Sequence, residues 1–160
     1  MAGAGRLPGA GAVGVTDIQL TVLGVAAPQG SKRHVGHGRM VESSKRVGPW
    51  REAIVTEAQR QGVAGLMLDE PLLVTIIVTL PRPAGHYGTG RNRAQVKASA
   101  PAYPAGKPDV DKLARSCMDG LVQAGVIVDD ARVVSLHARK VWALPGAASA
   151  TRISVHGVAS

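Results

Sequence analysis

The nine residues from Leu72 to Leu80, LLVTIIVTL, constrain the fold more than any other segment. Positions 72, 74, 76, 78 and 80 are all apolar, while Thr75 and Thr79 moderate the opposite side. A period of two predicts a strand, and apolar residues on both of its sides place that strand in the middle of a sheet. Such a sheet must be covered, and the flanking pattern supplies the cover. Gly48-Pro49 opens a helix that Gly62 closes, with Trp50, Ala53, Ile54 and Ala58 as its apolar stripe. A second helix fits Asp111 to about Ala124, with Leu113, Cys117, Met118, Leu121 and Val122 at helical spacing, a weakening Gly120 and Gly125 as its stop. Further strands are predicted at Ile18–Val25, Val133–Trp142 and Thr151–Val158. Within Val133–Trp142, Val134, Leu136, Ala138 and Trp142 face one way and Ser135, His137 and Arg139 the other, toward water. The fold class expected is α/β (α+β), one domain with a mixed sheet and helices packed on it.

A chain of 160 residues, 45% hydrophobic, supports one core, expected over residues 17–160. The first sixteen residues are Gly/Ala-rich with a single Arg6 and are expected to form a flexible tail. The longest apolar run, Pro71 to Leu80, is far short of the roughly 20 residues of a membrane span, so a soluble protein with no membrane partner is expected. One cysteine, Cys117, excludes an internal disulfide framework and a Cys-based zinc site, and fits a cytoplasmic protein. It falls on the apolar face of the second helix and reads as a core residue, not a nucleophile. His34 and His37 supply too few ligands for zinc, and Gly88-Thr89-Gly90-Arg91 lacks the setting of a phosphate-binding loop.

The net charge is +8, which favours polyanions as partners. Two segments carry much of it. Residues 31 to 51 hold Lys32, Arg33, Arg39, Lys45, Arg46 and Arg51 against Glu42 alone, among glycines and serines that predict an irregular loop ordered only when DNA arrives. Residues 81 to 108 hold Arg82, Arg91, Arg93, Lys97 and Lys107 with no acid, and predict a long functional loop. Lys32, Arg33, Arg39, Lys45, Arg46, Arg91, Arg93 and Lys97 are the candidate contacts to the phosphate backbone. With two tryptophans, two tyrosines and no phenylalanine, stacking platforms for single strands are scarce, so duplex or junction DNA is the expected ligand.

The acids are distributed in the opposite sense. Asp109, Asp111, Asp119, Asp129 and Asp130 fall within 22 positions whose basic residues are Lys112 and Arg115, leaving that segment at −3 and the remainder at +11. An acidic cluster in a phosphate-binding protein is costly unless a divalent cation lies between the two. Carboxylate oxygens are the hard ligands that Mg²⁺ or Mn²⁺ requires, and such ions activate water at phosphodiesters. Asp111, Arg115 and Asp119 share one helix face, and Asp129-Asp130 follows the helix, so the chain can fold back to bring three carboxylates together. The bland alternative is a capped helix with Asp–Arg–Asp pairs and an acidic turn, in a protein that binds junction or duplex DNA without cutting it.

The stretch KPDVDKLARSCMDGLVQAGVIVDDARVV, Lys107 to Val134, resembles the signature of RusA-family Holliday junction resolvases of the phage and prophage type. The shared elements are D-x-D-[NK]-L near a helix start, an acid on the helix, and D-D-x-x-V-V after it. Upstream, Pro28 to Arg33 and Pro49-Trp50-Arg51 are also similar to members of that family, so the likeness spans roughly residues 18 to 158. The resemblance implies that Asp109, Asp111 and Asp130 bind the catalytic metal and that Asp119 supports them. It implies a catalytic cation at Arg115, where the best-known member has lysine; Lys112, where that member has asparagine, is a candidate phosphate contact or a solvated side chain. Arginine keeps the charge but is a poor proton donor. The resemblance further implies a homodimer that resolves four-way junctions by paired phosphodiester hydrolysis in DNA recombination and repair.

Overall fold

Apolar residues at every second position build the sheet. The computed structural model describes residues 16–30, 32–34, 36–37, 40–42 and 45–158, with the strand backbone alone for 32–34 and 40–42. In chain order the elements are β1 (Asp17–Leu23), β2 (Lys32–His34), β3 (Met40–Glu42), α1 (Val47–Arg60), β4 (Leu72–Leu80), α2 (Val110–Gln123), β5 (Val133–Trp142) and β6 (Ala150–Gly157). Four strands form a mixed sheet in the order β1-β6-β4-β5, with β4 internal as its pattern predicts. β6 runs antiparallel to both β1 and β4, whereas β4 and β5 run parallel. The fold is α+β, as expected. The expected tail lies outside the described residues except for Thr16.

The core occupies one face of this sheet. Ile18, Leu20 and Val22 of β1, the even-numbered residues of β4, and Ile153 and Val155 of β6 are all buried. Against them pack Trp50, Ile54 and Ala58 of α1 and Leu113, Cys117 and Leu121 of α2. Burying this much aliphatic side chain, at about 25 cal/mol per Å², is the main force that fixes the helices on that face. Val122, assigned to the buried stripe from its spacing, is 38% exposed. Gly120 has a positive role instead. A Cβ there would lie 2.5 Å from Ile54 Cδ1 and 3.1 Å from Ile54 Cβ, so its missing side chain lets α1 and α2 approach.

The basic segment expected to be irregular contains an element. Lys32–His34 pairs antiparallel with Met40–Glu42 as a two-stranded ribbon separate from the main sheet. Positive φ at Gly36 (86°) and His37 (50°) lies between its strands, as a chain reversal requires. The side chains of Lys32 and Arg33, and all of Arg39, lie outside the described residues.

Parallel pairing of β4 and β5 forces a long crossover, since a tight turn cannot join parallel strands. Residues 81 to 132 make it: the acid-free loop, α2, and a short 3₁₀ turn at Asp130–Arg132. The loop holds itself with 3₁₀ turns at Ala84–His86 and Gly90–Asn92 and a bridge between Tyr87 and Val96. Lys97 Nζ donates to Gly85 O (2.9 Å), and Trp142 Nε1 at the end of β5 donates to Pro101 O (3.1 Å). No helix among the described residues is long and apolar enough to cross a membrane.

Candidate active site

The register of β4 and β5 turns Leu136, Ala138, Lys140 and Trp142 toward the helix side of the sheet, opposite Val74, Ile76, Val78 and Leu80. β5 is an edge strand, so this surface extends beyond the helical cover and Leu136 remains 48% exposed. A cleft therefore opens between α2 and the first half of β5. Asp111, Ala114, Arg115 and Met118 of α2 line it, with Asp130, Val133 and Leu136 facing them. Asp111 and Asp130, 19 residues apart, are brought to one cleft by the return of the chain after α2. His137 and Arg139 point away from it, on the exposed face of β5.

Asp130 also borders the neighbouring cleft, with Asp119, Val122, Gln123 and Asp129. Its carboxyl is held above the usual range, first by a hydrogen bond with the Asp129 side chain, then by partial burial, then by the charges of Asp129 and Asp119. Asp129 moves the opposite way because Ala131 N–H donates to its Oδ1 at 2.7 Å. The pair thus shares a hydrogen bond in which Asp129 favours charge and Asp130 favours the proton. Asp129, to which the resemblance gives no role, is the carboxylate that caps the turn carrying Asp130.

Asp109 stands apart from Asp111 and Asp130. It is the residue before the first turn of α2, but its side chain makes no capping hydrogen bond and instead pairs with Lys112 at 3.2 Å. Its surroundings are a larger cleft on the other side, where Lys112 and Lys107 also lie. Among the described residues, no three His, Cys, Asp or Glu side chains are grouped closely enough to hold a metal ion. The carboxylates are strung along the cleft system rather than gathered at one point. Asp111 and Asp130 nonetheless suit a hard divalent cation in donor chemistry, and the negative charge crowded around Asp130 is the kind that such a cation relieves.

Ion pairs on α2 differ from the Asp–Arg–Asp ladder that spacing suggests. Asp119 accepts from Arg51 Nη2 of α1 at 2.7 Å, and the same nitrogen donates to Gln29 Oε1 at 2.5 Å. Gln29 N–H in turn donates to Lys112 O (2.9 Å), so Asp119 ties α1 and the Pro28–Gly30 loop to α2. Arg115 makes no ion pair with a described residue, is exposed, and lines the cleft with Asp111 and Asp130. Cys117 is fully buried, with its thiol pushed up to about 12 by that burial, so it offers no nucleophile. The other basic candidates, Lys45, Arg46, Arg91, Arg93 and Lys97, are all exposed, and Lys97 Nζ also donates to Gly85 O.

The profile of the family described as Endodeoxyribonuclease RusA matches residues 24–154, more than four-fifths of the chain. The chain belongs to the RusA family. Membership makes it an endodeoxyribonuclease by descent, and the match covers the sheet apart from β1 and the end of β6. Comparison with curated proteins finds no match. In this RusA-family chain the three stretches on which the resemblance rests, Lys107–Val134, Pro28–Arg33 and Pro49–Arg51, lie inside the matched range and meet in space through the Gln29–Lys112 and Arg51–Asp119 bonds.

Proposed function

We propose that this protein is a structure-selective DNA endonuclease that resolves four-way junctions by metal-dependent phosphodiester hydrolysis, acting in the cytoplasm in recombination and repair. The observation that carries the reading is the cleft lined by Asp111 and the unpaired Arg115 of α2 with Asp130 across from them, within a chain of the RusA family. Asp111 and Asp130 would hold Mg²⁺, or Mn²⁺ in its place, with Asp109 joining from the start of α2. When bound, the cation supplies an activated water and neutralises charge on the phosphate. Arg115 is placed to stabilise the negative charge that builds on the phosphorus as water adds. Lys112, Lys45, Arg46, Arg91, Arg93 and Lys97 would hold the DNA backbone, and Lys32, Arg33 and Arg39 would extend that surface. A homodimer would present two such sites to two strands of the two-fold symmetric four-way junction.

A labelled four-way junction incubated with protein and Mg²⁺ tests this. Paired nicks at symmetric positions are expected, with a loss of at least about a thousandfold in Asp111→Asn, the scale set by removing a metal ligand from a hydrolytic site. Cutting in EDTA, or full activity in Asp111→Asn, would refute the chemistry. The absence of a three-carboxylate group among the described residues favours one competing reading, a junction-binding protein with a structural acidic cluster. That reading expects salt-sensitive binding with no nicks, and Arg115→Lys separates a compromised site, which gains activity, from a sound one, which does not.

A further inference from the structure

The second, larger cleft is unexplained by hydrolysis alone. It has a volume of about 660 Å³ and lies where the parallel strands β4 and β5 end, at Leu80 and Trp142, beside the start of α2. Its walls are apolar and flat, formed by Leu80, Pro81, Pro83, Pro108 and Trp142. The Trp142 ring is fixed by its bond to Pro101 O, by the edge of His86 at 5.4 Å and by Arg82 stacked 5.5 Å from its centroid. The rim is cationic: Arg46, Lys107 and Lys112 surround the single acid Asp109. An apolar floor with a few convergent charged groups, in this size range, describes a pocket for a small planar ligand bearing negative charge.

We propose that this cleft receives one unpaired base of the branched DNA, the nucleotide next to the phosphate that is cut. The proposal rests on the nuclease reading for the identity of the polynucleotide, but the pocket can be tested without it. The apolar walls suit the faces of a base, and Arg46, Lys107 and Lys112 suit its flanking phosphates. Asp109, which borders this cleft and pairs with Lys112, precedes α2 by one residue and Asp111 by two, so a captured nucleotide would lie at the same end of α2 as the Asp111 cleft. Bases at a branch point are the least costly to take out of the stack, so a pocket of this kind would select branched over continuous duplex. The scarcity of aromatic residues does not oppose this, since prolines and one tryptophan supply the flat surface.

The full chain, in EDTA, is titrated with each deoxynucleoside 5′-monophosphate and separately with inorganic phosphate, following the two tryptophan indole N–H signals by ¹H–¹⁵N spectra. Saturable shifts of Trp142 with nucleotides are expected, with none of that size from inorganic phosphate and little change at the buried Trp50. Pro81→Trp, which fills the mouth, and Lys107→Glu, an exposed change that reverses the rim, should each weaken nucleotide binding by about tenfold or more, the scale of one lost base contact. Equal shifts from inorganic phosphate, or undiminished binding in both variants, would overturn the pocket. Junction nicking without nucleotide binding would remove the pocket and leave the nuclease reading standing. Saturable nucleotide binding without nicking would do the reverse.

Discussion

Replacing Gly120 by alanine sets two effects of similar size against each other. Alanine favours the helix by about 1 kcal/mol, but the added methyl meets Ile54, which is fully buried and has little room to move. Overpacking of a core typically costs about 1–3 kcal/mol, so a net loss of about 1 kcal/mol is expected, read as a lower urea midpoint at unchanged slope. Gly120→Ala with Ile54→Val should recover part of it. The sequence shows this glycine as a weak point in a helix because propensity is local; its contact with Ile54, 66 positions away, is not. Asp119 illustrates the same limit. Its place on the helix is legible from spacing, yet its partner is Arg51, 68 residues distant, instead of the nearby Arg115 that periodicity offers.

Lys140 links two elements that the sequence keeps far apart. It sits on the helix-facing side of β5, and its Nζ donates to Gly106 O (2.5 Å) and Pro108 O (2.8 Å), the carbonyls just before Asp109. Hydrogen bonds from a charged group are worth about 1.5–3 kcal/mol when buried, less where water competes as it does here. Lys140→Met should therefore let the start of α2 drift and lower the nicking rate by about tenfold, while junction affinity changes by less than about threefold. Partial rescue by Lys140→Arg would mark a positioning role; an equal fall in affinity and rate would point to direct DNA contact instead. The bounds of β4 and β5 and the buried face of β4 were readable from alternation, but Val134, grouped by its spacing with Leu136, is 64% exposed because the register with β4 shifts at Leu72 and gives Val133 that face. The ribbon at 32–42 was not, because three-residue strands rich in charge carry no such pattern and depend on the turn between them.

Across the whole molecule, charge rather than packing sets how DNA is first met. Each phosphate contact released by mutation should reduce the slope of log affinity against log salt by about 0.9. Arg91→Ala with Arg93→Ala, both exposed in the loop after β4, should reduce that slope by about 1.8 in filter-binding assays while leaving thermal stability unaltered. An unchanged slope would exclude this loop from the backbone contacts. The sheet order β1-β6-β4-β5 was beyond the sequence, since strand pairing joins segments whose patterns are interchangeable. Only one buried residue, Pro104, occurs between Pro81 and Pro108, although this stretch is half of the crossover that parallel pairing demands. A segment that contributes so little to the core can lengthen, shorten or trade charges over generations with hardly any effect on folding. Preference among DNA structures can thus diverge between descendants while the scaffold and its carboxylates stay where they are.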